Sequence, residues 1–219
     1  MSISENLSSL LRRMPASVQL VAVSKTKPAE ALMEAYNCRQ RNFGENYVQE
    51  LTTKAAVLPN DIRWHLIGHL QSNKVSNLIR DIPHLWMVET VDSLKLADLL
   101  NKACLKQNRP TPLKILIEVA TSTEDSKSGV APSELKELAL FVSNQCQRLE
   151  LCGLMTIADP SRTNECFEAL KSLSEDLKHS LGYGAKDFVL SMGMSGDWEE
   201  AVQRGSNQVR IGSSIFGSR

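Results

Sequence analysis

Lys25 closes the run Val18-Gln19-Leu20-Val21-Ala22-Val23-Ser24, and Pro28 follows three residues later. The run has the composition of a strand buried on both faces, and Pro28 suits the first turn of a helix. A lysine at the lip of such a strand loses part of its hydration, which favours the neutral amine that attacks a carbonyl carbon. A lone lysine in a strand-to-helix loop is more often simply solvated, so the rest of the chain must decide. Two further stretches have the make-up of anion cradles. Ser191-Met192-Gly193-Met194-Ser195-Gly196-Asp197 offers glycines that let backbone N–H groups approach a ligand, with serine hydroxyls beside them. Asp197, Glu199 and Glu200 oppose an anion there unless they face away, and a helix capped by Ser195 explains the same residues. Val209-Arg210-Ile211-Gly212-Ser213-Ser214 repeats the device and adds a permanent cation, Arg210.

Other chemistries fail on spacing. Gly193-Met194-Ser195-Gly196 misses the G-x-S-x-G elbow, because its last glycine would have to be Asp197. No G-x-x-x-x-G-K-[ST] occurs, and Gly182-Tyr183-Gly184 precedes a strand instead of following one. His65 and His69 are four apart, but Trp64-His65-Leu66-Ile67 reads as strand and the acid of H-E-x-x-H is absent, so no metal site is expected. Glu89 and Glu118 could serve as acid and base, or be structural.

The elements that must position these residues alternate. Strands are expected at 18–24, 41–46, 63–68, 85–89, 113–119, 149–155, 187–191 and 207–211. Helical periodicity follows each of the first seven, with Ser72 and Asp92 as caps and Pro132 opening one helix. Strict alternation implies parallel strands joined by right-handed crossovers. Eight repeats without a Pro/Gly-rich linker favour one closed (β/α)8 barrel, a single α/β domain over 1–219, above an open doubly wound sheet. The eighth helix is nearly missing. An amphipathic N-terminal helix with Leu7, Leu10, Leu11 and Met14 on one face is available to cover that gap.

Bulk composition excludes several classes. Lys plus Arg and Asp plus Glu number 25 each, so no global field draws the chain to nucleic acid or membrane. Hydrophobic residues make up 42%, and no apolar run reaches the roughly 18 residues of a membrane span. Five scattered cysteines without a C-x-x-C pair point to a reducing compartment and to no zinc site. The cytoplasm is the expected location, with residues Met1 to Ala16 leaving a mitochondrial address open.

In a barrel the active face lies at the carboxyl ends of the strands, and phosphate is often bound after strands seven and eight. The residues just past the strands include Lys25, Asn46, His69 with Gln71, Glu89 with Thr90, Thr121, Met155 with Thr156, Ser191 to Ser195 and Arg210 to Ser214. A lysine plus a phosphate cradle points to a phosphorylated carbonyl compound held as a Schiff base. A sugar-phosphate aldolase substrate and pyridoxal 5′-phosphate both fit. The polar loop from Thr121 to Gly129 could be a lid, a protein-binding loop or a solvated connection.

Six stretches resemble the pyridoxal phosphate homeostasis protein (YggS/PROSC) family, in one order and over nearly the whole chain. They are Val21–Pro28, Phe43–Glu50, Trp64–Lys74, Gly153–Ile157, Leu190–Ser195 and Val209–Gly217. The resemblance implies a barrel of the alanine-racemase N-terminal-domain type carrying pyridoxal phosphate on Lys25. Phosphate would be held by Ser191, Met192, Gly193, Ser195, Gly212 and Ser213, with Asn46, Met155 and Arg210 near the cofactor. It also implies a carrier, buffer or regulator of vitamin B6 pools without established turnover. A small racemase-like enzyme is the alternative, disfavoured because all 219 residues are consumed by the barrel and none remains for a second domain. The expected partners are pyridoxal phosphate and the apo-enzymes that accept it, and the expected state is a monomer.

Overall fold

A computed structural model describes residues 2–122, 128–182 and 188–217. The elements alternate as the hydrophobic pattern requires. The order is α1 (Ile3–Arg13), β1 (Gln19–Val23), α2 (Ala29–Asn37), β2 (Asn42–Glu45), α3 (Val48–Ala55) and β3 (Arg63–Leu66). A 3-10 turn at Ser72–Lys74 leads into α4 (Val75–Asp81), followed by β4 (Met87–Val91), α5 (Leu94–Lys106), β5 (Leu113–Glu118) and α6 (Leu135–Gln145). The chain continues through β6 (Leu149–Met155), α7 (Thr163–Leu181), β7 (Val189–Ser191), α8 (Trp198–Gln203), β8 (Gln208–Ile211) and α9 (Ser213–Phe216).

The strands close into a parallel (β/α)8 barrel in sequence order, so the doubly wound alternative is set aside. Closure pairs the first strand with the last, from Gln19 opposite Gln208 to Ala22 opposite Ile211. In β1, Leu20, Val21 and Ala22 are buried, as a strand covered on both faces must be. Each buried Leu or Val contributes about 1.5–3 kcal/mol, which fixes the strand's register more firmly than propensity would.

Helix α1 covers the gap at the eighth helix. Its capping box is reciprocal: Ser2 Oγ accepts from the Glu5 N–H and the Glu5 carboxylate accepts from the Ser2 N–H. Asn6 Nδ2 donates to the Ile215 carbonyl of α9 at 3.0 Å, and Arg13 pairs with Glu199 over the Trp198 ring. Leu7, Leu10 and Met14 are buried as expected, whereas Leu11 stays exposed at the edge of the stripe.

Three caps differ from expectation. Ser93, not Asp92, accepts from the Leu96 N–H at the start of α5. Ser72 starts a 3-10 turn without capping it. At β7–α8 the Met194 N–H donates to Asp197 Oδ1 at 2.6 Å, and Ser195 turns elsewhere. In each case a neighbouring polar residue stands one or two positions off, which spacing alone cannot resolve.

Candidate functional site

Lys25, Asn46, Ser195, Arg210, Gly212 and Ser213 line one cleft of about 380 Å³ at the carboxyl ends of the strands. Thr26, Lys27, Ile67, Ile157 and Met194 complete most of its wall. A volume near 400 Å³ with few polar groups at fixed points suits a small ligand. Lys25 and Asn46 are half-buried, on the loops after β1 and β2.

The opposite lip is made of backbone. Ser195 Oγ accepts from the N–H groups of Gly212 at 3.4 Å and Ser214 at 3.5 Å, so the loops after β7 and β8 are joined. Among the described residues, the N–H groups of Ser195, Gly196 and Ser213 have no acceptor. Three donors without a protein acceptor around one cleft are the chemistry of an anion site. The acids that opposed this reading are occupied or turned away. Asp197 accepts from Met194, Glu199 pairs with Arg13 on α1, and Glu200 is exposed. Two glycines are needed here for distinct reasons. Gly193 has φ +99°, and a Cβ on it would meet Ala201 Cβ at 2.7 Å. A Cβ on Gly212 would press on the Val23 carbonyl oxygen at 3.0 Å, where β8 and β1 end together.

The floor of the cleft is a buried polar network. Arg210 donates to Ser191 Oγ at 2.7 Å, to the Ser191 carbonyl at 2.8 Å and to the Thr156 carbonyl at 2.8 Å. Ser191 Oγ donates to Glu89 Oε2 at 2.7 Å, while His65 Nδ1 and Gln208 Nε2 reach Glu89 Oε1 at 2.7 and 2.8 Å. Strands β4, β7 and β8 are not all neighbours in the sheet, so these bonds cross the barrel's interior. Burial pulls the Arg210 guanidinium down and Glu89, Glu118 and Asp197 counter it; it remains a cation. Burial would raise the Glu89 carboxyl, but the His65 hydrogen bond, His65 and Arg210 together hold it below the usual glutamate range. Glu118 goes the other way. Burial pushes it up, the Ser128 hydrogen bond offsets part of that, and its Oε2 is buried without a partner.

Four residues expected at the site lie beneath or behind the cleft. Met155 packs with Met87, Leu116 and Cys152 in a separate buried cluster. Met192 belongs to the main core, Ser191 to the floor network, and Gly193 seats α8 and accepts from the Arg210 N–H through its carbonyl. Residues 123–127 of the expected lid, including Glu124, Asp125 and Lys127, lie outside the described residues. His65, Gln208 and Thr156 were missed as network members. The signal of His65 and Gln208 was a polar side chain inside a strand with no solvent face to occupy, whereas Thr156, just past β6, joins through its backbone carbonyl. Among the described residues no cluster of metal-ligating side chains occurs.

Comparison with known proteins gives a consistent result. The model of the family "Alanine racemase, N-terminal domain" matches residues 1–219. The pyridoxal phosphate homeostasis protein of Homo sapiens is 48% identical over 219 residues, covering 95% of this chain and 79% of that protein. Its counterpart in Vibrio alginolyticus is 46% identical, covering 94% and 89%. The structure of PipY from Synechococcus elongatus with PLP bound superposes with a TM-score of 0.88 at 36% identity, covering 99% of this chain and all of that one.

Proposed function

Because the chain belongs to the pyridoxal phosphate homeostasis protein family, built on the alanine racemase N-terminal-domain barrel, we propose that it binds pyridoxal 5′-phosphate and serves in vitamin B6 homeostasis. In this reading residues 1–219 form one cofactor-binding barrel domain, acting as a monomer in the cytoplasm. Among the described residues no helix is long and apolar enough to cross a membrane.

The observation that carries the reading is a single cleft holding Lys25 on one lip and three donor N–H groups on the other. An amine, a permanent cation and a backbone cradle fit an aldehyde that bears a phosphate. The Lys25 nitrogen adds to the aldehyde carbon and the carbonyl oxygen leaves as water, giving a Schiff base. Ser195, Gly196 and Ser213 hold the phosphate through their N–H groups, with Gly193 and Gly212 shaping the cradle. Asn46 and Arg210 line the same cleft and would border the ring, with Ser191 in the floor network and Met155 and Met192 packed behind it.

A carrier or buffer is favoured over a racemase by the cleft's other residues. Apart from Lys25 and Lys27, the described residues lining it include no carboxylate, imidazole or phenol that could pass a proton to a bound substrate. Release to an apo-enzyme then needs only water to reverse the bond.

The test is optical. Mixing the protein with pyridoxal phosphate should give a visible band that disappears on borohydride reduction, leaving the label fixed to Lys25. A colourless mixture overturns the reading. Steady turnover of any amino acid in a panel, dependent on Lys25, would replace the carrier with an enzyme.

A further inference from the structure

We propose that Lys54 is a positioning residue for Lys25, at the centre of a buried ionic knot behind the turn that presents it. The inference rests on the reading of Lys25 as the carbonyl-binding amine. Lys54 stands in the last turn of α3, with its side chain 8% exposed. Its ammonium uses all three N–H bonds, each 2.7 Å long, to the Ser24 carbonyl, Glu45 Oε1 and Glu50 Oε1.

The partners flank the amine in sequence and space. The Ser24 carbonyl belongs to the peptide unit entering Lys25. The Thr26 N–H belongs to the unit leaving it, and it donates to the same Glu50 Oε1 at 2.6 Å. Both peptide planes around the Lys25 Cα therefore end on one ammonium or on its counter-ion. Glu45 ends β2 immediately before Asn46, so the knot also fixes the neighbouring part of the lip. Thr26 has φ +64°, a left-handed conformation that a β-branched residue disfavours, and the Glu50 bond holds it there.

Stability alone is a poor reason for this arrangement. Buried ion pairs rarely outweigh their desolvation, and apolar side chains of similar volume do as well. Here Glu45 Oε2 is buried with no partner at all. Burial pushes the Glu45 carboxyl up despite the Lys54 and Ser24 hydrogen bonds. The knot costs the fold something, and what it supplies is a fixed Cα and Cβ direction for Lys25. With every N–H committed, Lys54 cannot itself compete for the aldehyde. Misplacing a reacting group by about 1 Å can cost on the order of 100-fold in rate.

The experiment compares wild type with Lys54→Met and Glu50→Gln, each mixed with pyridoxal phosphate and trapped with borohydride over time. Lys54→Met should slow capture at Lys25 about tenfold and move the pH midpoint of the visible band. Glu50→Gln, which leaves the Lys54–Glu45 pair in place, should slow capture about threefold. Amide hydrogen exchange at Thr26 should quicken in both. A coloured wild type with unchanged capture rate and pH midpoint in Lys54→Met overturns the inference alone. Should Lys54→Met fail to fold, an unchanged capture rate in Glu50→Gln overturns it. A colourless wild type overturns the cofactor reading, and this inference with it.

Discussion

The two lips of the cleft are built by opposite means. On the β1–β2 side a charged side-chain knot, Lys54 with Glu45 and Glu50, fixes the backbone around Lys25. On the β7–β8 side the working groups are backbone N–H donors, and side chains serve mainly to tie two loops together through Ser195. In the proposed reading, a covalent bond to one aldehyde carbon needs a nucleophile in one place, so that side is specified residue by residue. A phosphate has equivalent oxygens and accepts donors from several directions, so that side is specified by conformation. The floor, Arg210 with Ser191 and Glu89, underlies both.

This division can be broken by experiment. The largest effect is expected from Lys25→Ala, which should abolish the visible band while inorganic phosphate still binds, measured by calorimetry. Loss of phosphate binding as well would mean that the lips are not independent. Next is Glu89→Gln, which removes the strongest of the charges opposing the burial of Arg210 and should destabilise the fold by about 3 kcal/mol at neutral pH. Its pH dependence has a definite sign. The Glu89 carboxyl is held below the usual range, so its contribution is full above that range and lost as pH falls through the folded value. Denaturant titrations of the two proteins should therefore converge in acid.

A smaller effect is expected from Gly193→Ala, which forces a Cβ against Ala201 and a side chain into φ +99°. A cost of about 2 kcal/mol is expected. The preference for pyridoxal phosphate over pyridoxal should fall about tenfold, while colour with pyridoxal itself persists. An equal loss of colour with both aldehydes would show that the backbone lip also positions Lys25. The smallest is Glu118→Gln, with a gain of about 1 kcal/mol at neutral pH. Glu118 is raised, so its contribution to stability is present in acid and lost as pH rises through the folded value. Glutamine removes that loss, and the gain in melting temperature should vanish in acid.

The barrel was legible because alternation survives coarse reading: apolar runs of strand length, each followed by a helical stripe. Lys25 and Arg210 were legible because each ends or interrupts such a run. The floor was not. His65, Glu89 and Gln208 sit in strands whose composition says buried on both faces, and composition does not say that the inner face is polar. The knot was hidden differently. Glu50 and Lys54 are four apart on a helix, the usual pattern of a solvated surface pair, and only the fold brings Glu45 and the Ser24 carbonyl beneath them. The three residues placed in the cradle that lie beneath it, Ser191, Met192 and Gly193, were named from a stretch, and a stretch does not say which of its side chains turn inward.

Barrel closure has a consequence for synthesis on the ribosome. The strand that β1 must pair with is β8, and the helix that shields their junction, α1, rests on α9. A nascent chain thus carries β1 with one edge unsatisfied until almost the whole barrel has emerged. Exposed strand edges recruit other strands, and contacts between distant parts of a chain form late. Chaperone dependence should accordingly concentrate in the final stage of translation, before β8 inserts. The loops after β7 and β8, joined through Ser195, would be assembled only at that last step, so a half-made chain would carry the Lys25 turn without the opposite lip of the cleft.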